Sequence, residues 1–203
     1  MKKSNLFYAF IRTIGLLVLF IAFGLYFDSI FFIENDPLGQ YYANVLMLIV
    51  FAALFYRATN RSRELMLYAV LIGICGEYLF SLGFEMYAYR LGNVPIYVPP
   101  GHAIIYIVTV YFCREKYIKK YKGIIEKVFA ISIFIYSFCF LVFATDIFGF
   151  VLTILTLWLL RNKPRERLFY YSMYIVVVFL EIIGTSYQCW YWPETAFGLF
   201  DFL

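Results

Sequence analysis

Charge is scarce in this chain: only 15% of its 203 residues are Asp, Glu, Lys or Arg, against roughly 25% in ordinary soluble domains. With 64% of the residues hydrophobic, a water-soluble domain of this size could not cover its apolar surface. Histidine occurs once, at His102, and one imidazole without several partners cannot make a zinc site, so no metal is expected. The four cysteines, Cys75, Cys113, Cys139 and Cys189, lie far apart with no C-x-x-C pair. They read as small apolar residues in helices and say little about redox compartment. A phosphate-cradling Gly-rich loop, a G-x-S-x-G elbow and an H-E-x-x-H pair are also missing.

What is there is a series of long apolar runs. A helix needs about 20 mostly apolar residues to cross a bilayer core of about 30 Å. Seven segments approach that length, at 8–27, 41–56, 65–84, 98–113, 128–144, 147–160 and 168–190. The sixth is short, and either borrows Thr145 and Asp146 or sits tilted in a tight hairpin at Asp146. The start, Met1 to Asn5 followed by an apolar run to Phe27, has the basic and apolar regions of a secretory signal. It lacks a small-x-small cleavage site, and the run is too long, so it reads as an uncleaved anchor.

The net charge of +4 does not point to nucleic acid, because the basic residues form short clusters between apolar runs instead of one patch. Lys2, Lys3 and Arg12, then Arg57, Arg61 and Arg63, then Arg114 to Lys127, then Arg161, Lys163, Arg165 and Arg167 all fall on one side. The other side receives Asp28, Glu34, Asp36, Glu85, Arg90, Asp146, Glu194 and Asp201. The excess of Lys and Arg in cytoplasmic loops puts the amino terminus inside and residue 203 outside. The expectation is an all-α, polytopic transmembrane bundle of about seven helices, one domain over 1–203, multi-pass in a cell membrane on the bacterial inner-membrane pattern. Receptor-like rhodopsins share that count, but the seventh segment has no lysine for a Schiff base.

Two odd-numbered helices carry the deep carboxylates. From the predicted starts at Leu65 and Leu168, Glu77 and Glu181 both lie roughly 18–20 Å along their helices at 1.5 Å per residue. Residues four and seven or eight apart share a helical face. Glu77, Ser81, Glu85 and Tyr89 are therefore expected in one stripe and Glu181, Thr185, Gln188 and Trp192 in the other. The match predicts two parallel repeats of up to four helices with a unit of about 104 residues, one over 1–113 and an incomplete one over 128–203. An eighth helix is expected after Trp192, and the chain reaches Leu203 first. An intramembrane carboxylate is costly and is by default a functional residue; the alternative is a neutral glutamic acid that only fixes packing.

Between the third and fourth helices, Tyr89 to His102 contains three prolines and two glycines. Irregular backbone at membrane depth survives only where protein or a wet cavity satisfies its amides, so a packed re-entrant loop is expected. His102, whose imidazole titrates near neutrality, is a candidate for proton transfer beside Glu77. Arg90 can pair with Glu85 or hold an anionic group. Tyr87, Tyr89, Tyr97, Trp190, Tyr191 and Trp192 fit an aromatic belt at a membrane surface, and also a wall of ring faces around an apolar ligand or a developing cation.

A deep glutamate followed by Tyr87-Ala88-Tyr89 and Leu91-Gly92-Asn93-Val94-Pro95, echoed by Glu181-Ile182-Ile183-Gly184-Thr185 with Trp190-Tyr191-Trp192, resembles the integral membrane carotenoid enzymes. These are the heterodimer-type lycopene cyclases and the carotenoid hydratase-like proteins. The likeness covers only the third to fourth helices and the end of the seventh. It departs where those cyclases carry Pro-x-Glu-Glu, since Pro95-Ile96-Tyr97-Val98 stands here without an acidic pair.

The resemblance implies a membrane-embedded enzyme acting on an isoprenoid by acid–base chemistry, with no redox cofactor. Glu77 and Glu181 are then the acid–base pair, with His102 relaying protons. Ser81, Glu85, Tyr87, Tyr89, Arg90, Asn93, Thr185, Gln188, Trp190 and Trp192 are the residues around the substrate. A carrier or lipid-binding protein using the same glutamates is the rival reading, although the predicted helices lack Pro-interrupted or unwound centres. A subunit of a larger membrane assembly or an oligomer is the third.

Overall fold

Capping residues set where the apolar runs become helices. Ser29, Thr59 and Asp146 each accept a hydrogen bond from the backbone N–H three residues on, which satisfies one of the donors a helix start leaves open. Losing such a cap costs about 1 kcal/mol. Pro99 and Pro100 occupy the first turn of another helix, where the missing N–H is no loss. The computed structural model describes residues 2–193, 195–196 and 200–201. Glu194 and residue 203, assigned above to the outer side, lie outside them.

Helix α1 runs through Lys2–Phe10, a π turn at Ile11–Gly15 and Leu16–Phe27, and is followed by one turn at Ile30–Ile33. Then come α2 (Gly39–Arg57) and α3 (Asn60–Glu77), which continues into a π turn over Tyr78–Gly83. A loop carrying the two-residue strand β1 (Ala88–Tyr89) leads to α4 (Val98–Arg114). The turn Lys116–Lys120 joins it to α5 (Lys122–Ala144), which forms a hairpin with α6 (Ile147–Leu160), and α7 spans Arg167–Ser186. Strand β2 (Trp190–Tyr191) pairs antiparallel with β1, and Thr195–Ala196 pairs with Phe200–Asp201.

Among the described residues the chain is all-α apart from these short pairings, and five stretches there are long and apolar enough to cross a membrane: Asn5–Ile33, Gly39–Arg57, Asn60–Gly83, Lys122–Ala144 and Arg167–Ser186. Two of the seven expected spans fall short. α6 has only 14 residues, and α4 has 17 and spends its first turn on prolines, a glycine and a histidine. The last helix also ends at Ser186, four residues before the expected 190, because the chain turns back at Gln188 (φ 55°). The π turns in α1 and after Glu77 correct the expectation of uninterrupted helices; such turns recur at functional sites.

α4 sits at the centre and buries Ala103, Ile104, Ile107 and Phe112 almost completely. It packs chiefly on α3 and also against α1, α2 and α7, while α5 packs on α7 and α6 on α5. Gly73 permits the α3–α4 approach, since a Cβ there would stand 3.4 Å from the His102 ring. The end of the bundle that carries the Arg and Lys clusters is tied by buried Glu126, 3.5 Å from Lys122 and 3.8 Å from Arg167, and by Arg12 with Glu115 at 3.3 Å. Nearby, Phe10 meets Phe112 and Phe129 edge-on at ring-centroid distances of 5.0 and 6.0 Å. The opposite end is capped by the loops that carry β1 and β2.

Candidate functional site

Glu77 is the last residue of regular α3 and is only 6% exposed. The π turn beyond it ends at Gly83, and Glu85, at φ 51°, sends the chain back across the helix end. That reversal lets both Tyr87 and Tyr89 donate their hydroxyls to Oε2 of Glu77, each at 2.7 Å. Burial, with the neighbouring Glu77 carboxylate, pushes both phenols above their ordinary range, so they remain protonated donors. The expected outward stripe is thereby corrected. Tyr89 reaches Glu77 through a folded-back loop, while Glu85 is exposed and stands in the turn.

α7 repeats the arrangement with different chemistry. Gln188 reverses the chain, and the indole N–H groups of Trp190 and Trp192 donate to Oε2 of Glu181 at 3.0 and 3.3 Å. Trp190 lies so close over α7 that a Cβ on Gly184 would fall 1.9 Å from its ring. Gly184→Ala is therefore expected to push the Trp190 indole off Glu181 and red-shift tryptophan emission. Gly76→Ala, where nothing lies within 4 Å of the added carbon, should leave the spectrum unchanged. β1 and β2 join the two lids, with Tyr89 opposite Trp190 and Ala88 opposite Tyr191. Tyr87 also packs against Trp192 at 5.3 Å.

His102 stands on α4 between them. Its Nδ1 is 3.0 Å from the Val98 carbonyl, to which it can only donate, and its Nε2 is 3.5 Å from Oε1 of Glu77. Nε2 is therefore the ring nitrogen that faces Oε1 of Glu77. At Glu181 the two indole N–H groups can only donate, so Oε2 is the acceptor for both and Oε1 takes no part in those bonds.

Glu77, Glu181 and His102 line one cavity of about 220 Å³. Tyr87, Tyr89, Trp190 and Trp192 border it at the capped end, and its walls are apolar, from Leu17, Ile21 and Leu25 of α1, Met47 of α2, Ile105 of α4 and Met173 and Val177 of α7. Few polar groups in a largely apolar hollow is the usual make-up of a small-molecule site. Ser81 is buried but is not among the lining residues. Thr185 donates to the Glu181 carbonyl at 2.6 Å instead of facing the cavity, and Gln188 is exposed in its turn.

Arg90 does not pair with Glu85. It reaches back to Asp28, which is fully buried at the end of α1, contacting both its carboxylate and, through Nε at 3.2 Å, its carbonyl. Tyr97 donates to the same carboxylate at 2.8 Å and Gln40 at 3.4 Å. Burial, with Asp28 beside it, pushes the Tyr97 phenol well up. Asn93 donates to Gln40 at 3.3 Å, outside the cavity. This cluster pins the cap to α1 and α2. Tyr97, one of the aromatics expected around a ligand, also lines the cavity, whereas the place of Asp28 has one clue in the sequence: Arg90, a lone cation among acids on its side, requires a partner.

The same cluster closes over Cys189, whose thiol lies 3.5 Å from the Leu25 carbonyl and whose own carbonyl accepts from Arg90 N–H at 3.0 Å. Burial, and then Asp28, push this thiol up to about 12. In detergent at pH 8 a maleimide is expected to leave Cys189 unmodified until the cap is opened by denaturant, which peptide mass spectrometry would read directly.

Among the described residues no group of three His, Cys, Asp or Glu side chains could hold a metal ion. Compared with known proteins, the chain matches no family model, and no curated protein or solved structure is detectably similar to it.

Proposed function

We propose that this chain is an integral membrane enzyme that moves protons onto and off an apolar substrate of the isoprenoid or a related lipid class, with Glu77 and Glu181 as the acid–base pair. One observation carries the reading. Each carboxylate is held on one oxygen by two aromatic donors, and both line the same apolar cavity. Fixing the spectator oxygen orients the reacting one, which is how positioned acids and bases gain efficiency.

In the proposed reaction Oε1–H of Glu181 gives its proton to one carbon of a double bond, whose π pair forms the new C–H bond. The cation at the neighbouring carbon is stabilised by the ring faces of the cap. Oε1 of Glu77 then takes a proton from an adjacent carbon, and the released C–H pair becomes a new double bond. The proton on Glu77 passes to His102 Nε2 and returns to Glu181, so the site resets without a redox partner. The antiparallel β1–β2 pairing of corresponding segments, each following a glutamate-bearing helix, supports two copies related by a two-fold axis along the bundle. We place the basic end in the cytoplasm, following the excess of Lys and Arg there.

A proton-coupled carrier would use the same glutamates. The packed floor below the cavity, where Phe10, Phe112 and Phe129 meet, favours an enzyme, because it leaves no path to the basic end. The test is expression in cells that make long-chain isoprenoids, followed by lipid extraction. A changed product supports the enzyme; unchanged lipids with a Glu77-dependent proton or solute flux overturn it in favour of the carrier.

A further inference from the structure

The cavity has a side door, and its position constrains the substrate. The lining residues of α1 are shut in, with Leu17, Ile21 and Leu25 at most 6% exposed. On the other wall Val177 is 39% exposed and the His102 side chain 45%. The opening is therefore on the α4–α7 side. α3 and α7 each pack on α4, and the 45% exposed His102 side chain on α4 marks the gap between them. Glu77 from α3, His102 from α4 and Glu181 from α7 meet at that gap, beneath the Tyr87–Trp192 contact.

From this doorway the hollow runs toward the basic end. Along α7 the lining residues extend from Glu181 back to Met173, and along α1 from Leu25 back to Leu17. Each distance is eight residues, or about 12 Å of helix. Below Leu17 and Met173 the interior is filled by buried Ile14, Phe112 and Phe129, so the slot is blind. Its walls there carry no charged group.

We infer that the substrate is a long hydrocarbon chain that enters sideways from the bilayer, end first, between α3 and α7. The blind floor acts as a ruler that presents to Glu77 and Glu181 the bond lying about 12 Å from the buried chain end. The rest of the chain stays in the lipid, since a cavity of about 220 Å³ takes only its terminal part. This rests on the acid–base reading for the consequence at the reacting bond, whereas the binding mode can be tested without turnover.

The probe is hexadecanol carrying a diazirine on its terminal carbon, photolysed with the full-length protein in phosphatidylcholine vesicles and mapped by peptide mass spectrometry. Insertion is expected at Leu17, Ile21 or Met173, whose cavity faces lipid cannot reach from outside. Val177→Trp, which narrows the door, should reduce that labelling at least tenfold. Leu17→Trp, which raises the floor, should move it toward Leu25 and Leu180. Phe143→Trp, 86% exposed on α5 and away from the cavity, serves as the control for folding and should leave the pattern unchanged.

Floor labelling that persists in Val177→Trp would overturn the sideways entry. Labelling confined to the glutamate end would overturn end-first insertion and show that the hydroxyl end leads. Repeating the experiment in the Glu77→Gln, Glu181→Gln double variant separates the two ideas. Normal floor labelling in a variant that still converts lipid would sink the acid–base reading and leave the ruler standing.

Discussion

Glu77→Gln and Glu181→Gln are each expected to lower product formation by about 10²–10⁴-fold, the usual contribution of a positioned acid or base, while the protein remains folded. Glutamine keeps the shape of the side chain, and its carbonyl oxygen can still accept from Tyr87 and Tyr89, or from Trp190 and Trp192. The lids should stay in place, so tryptophan emission and the melting temperature are the controls. The amide cannot deliver or take the proton that the proposed reaction moves at Oε1. The two single variants should fail at different steps. Loss of Glu181 blocks uptake of deuterium from heavy water into substrate, and loss of Glu77 blocks its wash-out from a substrate labelled in advance. Equal, small effects from both substitutions would reduce the glutamates to packing groups.

The second large effect is on stability. Asp28→Ala leaves the Arg90 guanidinium, whose side chain is 17% exposed, without its counter-charge and is expected to cost about 3–5 kcal/mol, as removing one member of a buried ion pair does. Arg90→Met should cost a similar amount, because fully buried Asp28 would keep only Tyr97 and Gln40 as side-chain partners. Replacing both, as Asp28→Leu with Arg90→Met, should recover most of the loss, since the buried charges are then both gone. Thermal unfolding in detergent measures the three, and maleimide labelling of Cys189 reports whether the cap has opened. Removing the exposed Lys163–Glu166 pair at 3.9 Å should move nothing, as surface pairs contribute little. A melting temperature unchanged in Asp28→Ala would mean that the loops, not this pair, hold the cap.

Glu77 and Glu181 stood out because hydropathy is a one-dimensional property: a carboxylate inside an apolar run is anomalous wherever the run folds. Their partners leave no such mark in the sequence. The stripe from Glu77 through Ser81 and Glu85 assumed a helix that continues, and the π turn with the reversal at Glu85 replaced it with a loop folded over the helix end. Tyr87, Tyr89, Trp190 and Trp192 were visible as an aromatic rim, yet nothing in their spacing says that two hydroxyls and two indoles converge on single carboxylate oxygens. In the sequence Asp28 is one of several acids on the outer side. Its burial is set by Arg90, 62 positions away, and pairings at that separation leave no periodic trace.

By itself the sequence determined an all-α chain with stretches able to cross a membrane, the charge asymmetry between the two ends and the presence of two deep carboxylates, because each follows from the local cost of putting polar groups among apolar ones. Tertiary structure decided which oxygen of each glutamate is held, that His102 stands between them, that Arg90 locks onto Asp28 and that the cavity is closed below and open between α3 and α7. Those depend on how helices far apart in the chain pack around α4 and on two chain reversals at positive φ, and side-chain geometry of that kind exists only once the chain has folded.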